Sequence, residues 1–302
     1  MKKVLVLLSL YNGKEFIKEQ IDSVFAQSDV EVKILVRDDG STDDGALLVE
    51  KINDDRIEVI RKENVGCAKS FINLVFEAAP YKDFDYYAFC DQDDVWLADK
   101  LHVATELLDK YPNESPALYM NQYQMVDRDL NPIPTKHIKA RLNLHSAMVN
   151  NIATGCTMVF NRTLLENLVQ YYPQNITMHD YWVYLVALVL GGNVIYDDNA
   201  HILYRQHGRN VIGGKGDGFY TRWKIRANKI FKASPHFYSN MARELLTGYE
   251  KDMCDENRSF LCKLTNLNKW KNRIRLLFDN EMLGSTIDFT VRCKLLILTG
   301  KY

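Results

Sequence analysis

The chain has 302 residues, of which 47% are hydrophobic and 25% are charged. Such a chain can bury a large core, so we expect an ordinary globular protein with one large domain, or one domain plus an appendage. No apolar stretch approaches the roughly 20 residues that cross a bilayer, which argues against a membrane-spanning helix. The formal net charge is only −1, and we expect no nucleic-acid partner.

The cysteines and the N-terminus indicate a reducing compartment. Six cysteines are scattered along the chain without a CxxC pair, and "MKK" leads into only seven largely apolar residues. Neither feature is typical of a disulfide framework or a secretory signal. We therefore expect reduced thiols and a cytoplasmic location.

Short apolar runs alternate with helical patterns through the first third of the chain. This βαβα order predicts an α/β fold with a doubly wound, mainly parallel sheet and helices on both faces. Neither GxGxxG nor GxxxxGK[ST] follows the first strand, which argues against a nicotinamide dehydrogenase and a P-loop NTPase. The predicted strands and helices alternate near residues 4–10, 14–27, 32–39, 46–52, 57–62, 66–79, 85–91 and 97–110.

Polar clusters follow each of the four predicted strands. In doubly wound sheets, ligands bind outside the carboxyl ends of the strands, so the clusters predict one rim of hydrogen-bonding groups. Asp, Asn, Gly and Ser are also ordinary turn and cap residues, which would explain any one cluster but explains four in register much less well. The clusters lie at residues 9–12, 38–41, 64–66 and 91–94.

The stretch "FCDQDDVW" places three carboxylates directly after the fourth strand. Close carboxylates repel one another unless water or a cation compensates their charge. Oxygen ligands at an open cleft suit a hard divalent cation such as Mg²⁺ or Mn²⁺. A solvated turn is the alternative, and the neighbouring acidic strand end favours the metal.

The second half contains one more carboxylate in an informative position. "ALYMNQYQMV" predicts a strand, and "TMHDYWVYLVALVLGG" predicts a buried helix with Asp180 at its start. A carboxylate there can serve as a general base in a partly dry cleft or as an N-cap of the helix, and the two roles can coexist.

The C-terminal part of the chain differs in charge. Residues 219–302 carry 16 Lys and Arg against 8 Asp and Glu, a balance of +8, which leaves 22 against 31, or −9, for residues 1–218. The segment "TRWKIRANKIFK" at 221–232 combines five cations with apolar anchors. Such a stretch can lie on anionic lipid headgroups or form an ordinary surface helix, and both interpretations stay open.

Four stretches in the first half resemble the nucleotide-sugar half of glycosyltransferase family 2 enzymes with the GT-A fold. They are "LSLYNGKEFIKEQIDSVFAQS", "VRDDGSTDDG", "ENVGCAKSFINLVFEA" and "CDQDDVWLADKL", and the resemblance covers roughly residues 1–210. "DQDDVW", "MHDYW" and "YRQHG" are similar to bacterial rhamnosyltransferases of cell-wall and capsular polysaccharide. The resemblance implies a nucleotide-activated sugar donor, a divalent metal and an inverting transfer.

The resemblance also implies site residues on the donor side. Asp39 matches a position that accepts a hydrogen bond from the ring N–H of the nucleoside's base. Asp38 either contacts the nucleoside as well or supports the turn. Asp93 is the best candidate for direct metal coordination, and Asp94 is the weakest of the three and could cap the next helix. The full donor set is Ser9, Tyr11, Asp38, Asp39, Lys69, Asp91 and Arg205, and the metal set is Asp93, Asp91 and His207.

On the acceptor side, Asp180 matches the catalytic base, with His179 before it where most of the family has an acidic residue. The arginines flanking His207 offer charge to the diphosphate, and residues 205–215 read as a lid that orders when donor binds. The expected acceptor contacts are Thr154, Gly155, Cys156 and Trp182.

These inferences predict a GT-A domain at residues 1–212, with a donor and metal half at 1–110 and an acceptor half at 111–212. The lid segment and a basic helical region follow at 213–302. We expect rhamnose from dTDP-rhamnose as the donor sugar and a surface polysaccharide or a lipid-linked saccharide as the acceptor, at the inner face of the cell membrane. Three alternatives stay open: a UDP-hexose donor, a nucleotidyltransferase and a non-catalytic sugar-binding protein. The sequence does not define the oligomeric state.

Overall fold

The computed structural model describes residues 1–206 and 236–302. Within these ranges, the strands form one eight-stranded sheet in the order β3-β2-β1-β4-β7-β6-β8-β5. The strands are β1 (Lys2–Leu10), β2 (Val30–Asp39), β3 (Ile57–Lys62), β4 (Tyr86–Cys90), β5 (Val95–Trp96), β6 (Ala117–Val126), β7 (Val159–Asn161) and β8 (Asn193–Arg205).

The first four strands of the sheet order are parallel, as the sequence predicts. Their side chains alternate between two hydrophobic clusters, because successive residues of a strand point to opposite faces. Leu5 and Leu7 of β1 belong to one cluster, and Val4, Val6 and Leu8 belong to the other. Both faces of β1 are therefore buried, which explains its continuous apolar sequence.

Helices cover both faces of the sheet. On one side, α1 buries Ile17, Ile21 and Val24 against the cluster that contains Val4. On the other side, every residue of α7 is buried, and from Tyr181 onward this helix has no charged side chain. The helices are α1 (Ile17–Phe25), α2 (Gly45–Ile52), α3 (Cys67–Ala78), α4 (Lys100–Leu108), α5 (Leu144–Ala147), α6 (Arg162–Leu168), α7 (His179–Val189), α8 (Phe237–Tyr249), α9 (Asp255–Thr265), α10 (Trp270–Leu277) and α11 (Ile287–Thr299).

The antiparallel part of the sheet positions the far wall of the cleft. Strand β7 pairs antiparallel with β4, and the short 3₁₀ helix Gly155–Thr157 lies directly before β7. The Phe89 N–H donates to the Met158 carbonyl at 3.2 Å. Residues 154–157 therefore lie beside the end of β4, where "CDQDD" begins.

The C-terminal helices pack on the same core as the sheet. Leu245 of α8 and Leu261 of α9 belong to the hydrophobic cluster that contains α7, which agrees with the predicted helical extension. Among the described residues, no helix is long and apolar enough to span a membrane. The domain boundary at 212/213, the lid beyond Gln206 and the basic segment 221–232 lie outside the described residues.

Candidate active site

A cleft of about 1120 Å³ opens at the carboxyl ends of β1, β2 and β4. The structure brings most of the predicted site residues to this one cavity. Five of the described residues that line the cleft are Asp or Glu. Among these lining residues, a single Lys or Arg side chain is present, that of Arg128. The predicted residues that line the cleft are Ser9, Tyr11, Asp39, Asp91, Asp93, Thr154, Gly155 and Asp180.

The loops after β1 and β2 are held together by Asn12. This residue has a left-handed backbone with φ of 50°. Its Oδ1 accepts from the Thr42 N–H at 2.7 Å, and its own N–H donates to Ser41 Oγ at 3.0 Å. Asn adopts this conformation more readily than most residues, because its side chain can bond locally. The two loops thus form one wall of the cleft.

Gln92 joins the end of β4 to the same wall. Its Oε1 accepts from the Tyr11 N–H at 2.8 Å, and its Nε2 donates to the Tyr11 carbonyl at 3.1 Å. A Cβ atom on Gly13 would lie 2.3 Å from Gln92 Oε1, so a larger residue there would displace the Gln92 side chain. The position of Tyr11 therefore depends on the acidic loop.

Asp39 organises the loop before α3. Its carboxylate accepts from the Val65 N–H at 3.1 Å and from the Gly66 N–H at 3.0 Å, and Arg37 Nη2 lies 3.3 Å from it. Gly66 has a φ of 83°, a conformation that favours glycine, and it directly precedes α3. Asp39 is buried yet lines the cleft, so it holds the turn and faces the cavity at once.

The three carboxylates of "CDQDD" have different surroundings. Asp91 and Asp93 line the cleft, whereas Asp94 is fully buried and accepts from the Arg205 N–H at 3.0 Å. Burial raises the pKa of Asp91 to about 7, and the charges of Asp93 and Asp180 add to the effect. Burial also raises the pKa of Asp94 well above its usual range, with further contributions from Asp93 and Asp91. Two carboxyls thus face the cavity and one faces the core.

Asp91 and Asp93 both present carboxylates to the cleft, and oxygen is the ligand type that a hard divalent cation prefers. One oxygen each from Asp91 and Asp94 and the Cys156 sulfur also lie within 4.8 Å of one another. Burial raises the pKa of the Cys156 thiol well above its usual range, followed by repulsion from Asp94 and Asp91. A neutral thiol is a poor ligand for Mg²⁺ or Mn²⁺, which prefer oxygen. The oxygens at the open cleft are therefore the better match.

Asp180 lies across the cleft at the start of α7. It is 4% exposed, and Asn151 Nδ2 donates to its Oδ1 at 3.4 Å. Burial raises its pKa to about 6, although hydrogen bonds from backbone N–H groups and Asn151 oppose the shift. A carboxyl with a pKa close to neutral pH suits general-base chemistry. The N-cap of α7 is Met178, so the interpretation of Asp180 as the cap is wrong.

His179 forms the apolar floor beside Asp180. Its ring stacks on Phe71 with centroids 3.9 Å apart and meets the edge of Phe89 at 4.9 Å. Among the described residues, neither ring nitrogen has a hydrogen-bond partner, and burial lowers the pKa of His179 to about 3. A Cβ atom on Gly155 would lie 2.4 Å from His179 Nε2. Gly155 is thus required by the imidazole ring that packs against it.

The comparisons with known proteins agree with this architecture. The family model described as "Glycosyl transferase family 2" matches residues 5–169, more than half of the chain. The chain belongs to glycosyl transferase family 2. The glycosyltransferase is 26% identical over 244 residues to dTDP-rhamnosyl transferase RfbG of Shigella flexneri, covering 74% of this chain and 81% of that protein.

A second relative and a solved structure extend the comparison. Over 164 residues, 54% of this chain and 62% of the relative, the glycosyltransferase is 30% identical to UDP-Glc:alpha-D-GlcNAc-diphosphoundecaprenol beta-1,3-glucosyltransferase WfgD of Escherichia coli. Residues 1–349 of S. aureus TarS in complex with UDP-GlcNAc superpose with a TM-score of 0.57 and 17% identity, covering 100% of this chain and 93% of that one. The fold is GT-A, as predicted.

Several predicted contacts do not reach the cleft of this glycosyltransferase. Trp182 is fully buried between Tyr171 and Tyr249, because α7 is enclosed on all sides, so its position does not fit acceptor binding. Lys69 is exposed on α3 and is not among the residues that line the cavity. Cys156 is fully buried beneath the acidic loop rather than lining the cleft.

Asp38 and Arg205 have structural contacts instead. Asp38 accepts from the Ser41 N–H at 3.1 Å, which is the turn-supporting alternative. Arg205 Nε donates to the Asp93 carbonyl at 2.8 Å, and its guanidinium also bonds Glu19. The side chain therefore braces the acidic loop from behind and does not line the cleft. His207 lies outside the described residues.

Asp94 does not cap the following helix, since α4 has Asp99 as its N-cap.

Lys100 is fully buried beneath the acidic loop that follows β4. Its Nζ has no hydrogen-bond partner among the described residues. Burial lowers its pKa to about 8.

The sequence reasoning also missed Gln92, Asn151 and Arg128. Gln92 lies inside the acidic motif and Asn151 lies three residues before Thr154, so only their place near predicted site residues could have pointed to them. Arg128 lies in the irregular stretch after β6, where no pattern indicated a cleft residue.

Proposed function

We propose that this protein is an inverting, metal-dependent transferase that moves rhamnose from dTDP-rhamnose to a bacterial surface polysaccharide or a lipid-linked saccharide. The single observation that carries the proposal is the juxtaposition of two half-exposed aspartates with a buried one across the cleft. Asp91 and Asp93 follow β4, Asp180 lies in the first turn of α7, and the charges of Asp93 and Asp180 both raise the pKa of Asp91. An acidic pocket of this kind requires a cation before it can hold an anionic diphosphate.

On the donor side, we propose that Ser9, Tyr11 and Asp39 contact the nucleoside. Ser9 Oγ lies 2.7 Å from Ser70 Oγ, and Tyr11 is held by Gln92, so both enter the cleft from fixed positions. We propose that Arg128, rather than Arg205, faces the diphosphate, because it is the cationic side chain of the described cleft lining. Glu15 pairs with it there.

We propose that Asp91 and Asp93 hold the divalent cation. When bound, such an ion would neutralise the charge of the nucleoside diphosphate as it leaves. Asp94 fixes the loop from beneath through its bond with the Arg205 N–H. In this proposal the two side chains of the open cleft bind the cation and the buried one supports the loop.

Asp180 supplies the base in this proposal. Its carboxylate takes the proton from the acceptor hydroxyl as that oxygen bonds to the anomeric carbon, and the bond from this carbon to the diphosphate oxygen breaks on the opposite face. The nucleoside diphosphate leaves with the electron pair, so no covalent enzyme intermediate forms. Asn151 orients the carboxylate, and burial keeps competing water away.

The test is incubation of the protein with dTDP-rhamnose or UDP-glucose, with Mn²⁺, with Mg²⁺ or with EDTA, and with a synthetic GlcNAc-diphosphoryl-lipid acceptor. We expect metal-dependent dTDP release and a lipid product that is heavier by one deoxyhexose. Release from neither donor under any metal condition would contradict the enzymatic proposal. Turnover in EDTA equal to that in Mn²⁺ or Mg²⁺ would contradict the proposed metal dependence.

A UDP-hexose donor is the second candidate. The relative WfgD is named for UDP-Glc and is 30% identical to the matched part of this chain, whereas RfbG is named for dTDP-rhamnose. The two donors share the diphosphate but differ in base and sugar. The product mass from the same assay distinguishes a hexose from a deoxyhexose.

A further inference from the structure

Helices α10 and α11 expose rows of large apolar side chains. Seven of these side chains are between 44% and 79% exposed. Because successive residues of an α-helix lie about 100° apart, each row falls within an arc of about 80°. Scattered exposed apolar residues are ordinary, but aligned rows on neighbouring helices mark an interaction surface. This α10–α11 surface consists of Trp270, Ile274 and Phe278 in one row and Ile287, Val291, Leu295 and Leu298 in the other.

The two helices lie side by side and run antiparallel. Arg273 Nη1 donates to the Leu298 carbonyl at 3.3 Å, while Lys294 Nζ donates to the carbonyls of Leu276 and Asp279 at 2.8 and 3.0 Å. These bonds tie the helices together at the seam between them. The apolar rows lie outside this seam and remain exposed.

The charge around the rows is predominantly positive. Residues 266–302 carry seven Lys and Arg against three Asp and Glu. On the exposed side of α10, Lys271 and Arg275 alternate with the apolar row, and Lys269 directly precedes the helix. Apolar side chains with cations beside them suit an anionic bilayer, where the former enter the headgroup boundary and the latter meet lipid phosphates. A Trp at the end of the row fits the same interface.

The row on α11 begins beside the acceptor side of the cleft. The Ser285 N–H donates to Asn150 Oδ1 at 2.9 Å, two residues before Ile287. The next residue, Asn151, donates to Asp180 at 3.4 Å. The exposed surface and the proposed base are therefore joined through one short chain of contacts.

We infer that the α10–α11 surface docks on an anionic phospholipid bilayer and holds the acceptor side of the cleft close to it. The benefit for a lipid-linked acceptor rests on the proposed function, whereas bilayer binding itself does not. A second copy of the chain is a poorer occupant. A symmetric contact places the same patch on both sides, so cations would face cations.

The experiment is co-sedimentation of the full chain with vesicles of phosphatidylcholine containing about a quarter phosphatidylglycerol. Phe278→Ser/Leu295→Ser, with one change in each row, should weaken vesicle partitioning by about tenfold or more. The matched control is Leu47→Ser/Leu48→Ser, which removes two exposed leucines from α2 and should bind as the wild type does. Lys271→Gln/Arg275→Gln should remove the preference for phosphatidylglycerol over pure phosphatidylcholine vesicles. Thermal melting verifies that each variant is folded.

Each outcome bears on one proposal. Unchanged partitioning of Phe278→Ser/Leu295→Ser overturns the docking surface, and so does a wild type that does not bind vesicles; light scattering would then report whether a second copy covers it. Release of nucleoside diphosphate without vesicles provides the separate readout. A folded variant that keeps release and loses vesicle binding supports the surface. Vesicle binding by a wild type that releases nothing leaves the surface intact and contradicts the proposed enzyme.

Discussion

On the donor side of the cleft, each polar cluster follows its own strand and is bonded to a neighbouring loop, as Asn12 is to Thr42. On the acceptor side, the Asp180 carboxylate accepts from the adjacent Tyr181 N–H and also from Asn151, 29 residues before it, and Asn150 in turn contacts Ser285. Asp91 and Asp93 on the donor side are partly exposed, whereas Asp180 is 4% exposed. The difference suits the two tasks, because a cation and a diphosphate need accessible oxygens and a base needs a drier setting.

The largest expected effect tests the acceptor side. Asp180→Asn should lower kcat by about 10³-fold or more, since an amide cannot take the proton from the acceptor hydroxyl. Metal-dependent nucleotide binding, followed by calorimetry, should stay within a few-fold of the wild type. Parallel loss of binding and turnover would mean that Asp180 belongs to the donor side.

The same variant should be more stable than the wild type at neutral pH. Burial raises the pKa of Asp180 from 3.8 to about 6, so the folded state disfavours its charged form. Removing that charge should add about 1–3 kcal/mol to the free energy of unfolding at pH 7. The gain should disappear as the pH falls below about 4, where the carboxyl is neutral in both states. Urea titrations at pH 7 and below about pH 4 measure this change in the free energy of unfolding. An equal gain in stability at both pH values would contradict burial of the charge as its cause.

On the donor side, Asp93→Ala should weaken metal-dependent nucleotide binding by about 10- to 100-fold, because it removes a proposed cation ligand. Asp94→Asn is the matched control. Burial already favours the neutral form of Asp94, and an amide oxygen can still accept from the Arg205 N–H. Calorimetric titration of nucleoside diphosphate with Mn²⁺ measures both. Retained binding in Asp93→Ala, or equal loss in Asp94→Asn, would reverse the roles assigned to the two carboxyls.

The pH dependence of kcat should also distinguish the acceptor side of the cleft from the donor side. With metal and donor saturating, kcat should fall about tenfold per pH unit below about pH 6, because protonated Asp180 cannot act as a base. Nucleotide binding measured at the same pH values is the control for protonation of Asp91, whose pKa burial raises to about 7. A kcat that stays constant down to pH 5 would argue against a base with this pKa.

The smallest effect tests the packing behind the acceptor side. Gly155→Ala would place a Cβ atom 2.4 Å from His179 Nε2, which forces the stacked ring to move. We expect a loss of about 1–3 kcal/mol in the free energy of unfolding. In the His179→Ala background the same substitution should cost much less, so a double-mutant cycle by chemical denaturation isolates the contact. Equal costs in both backgrounds would show that the imidazole is not the reason for the glycine.

The donor half was largely predictable from the sequence because its signals are local. Strand β3 has the predicted bounds, and the other predicted elements of this half differ by a few residues at their ends, although the two-residue strand β5 was not predicted. The alternation of apolar runs and helical patterns indicates a parallel sheet, and a parallel sheet brings the ends of its strands to one edge. Ser9, Tyr11, Asp39, Asp91 and Asp93 accordingly meet in one cleft.

Among the predicted site residues that do not line the cleft, three are placed elsewhere for the same reason. Trp182 and Cys156 lie next to cleft residues in the sequence, but their side chains point into the core. Arg205 carries the charge that a diphosphate needs, yet its donors are used by the Asp93 carbonyl and Glu19. Proximity along the chain does not determine the direction of a side chain, and that direction decides whether a residue binds a ligand or supports one that does.

By itself, the sequence determined the alternation of strands and helices in the parallel half, the family and the acidic motif after β4, since these depend on periodicity and on short spacings. Only the tertiary structure decided which of the three carboxylates of that motif face the cleft, that His179 requires Gly155, and that Asn151 holds Asp180. It also decided that the rows on α10 and α11 stay exposed. These outcomes depend on contacts between segments up to 135 residues apart, such as Asn150 with Ser285, and neither composition nor local pattern records which segments will meet.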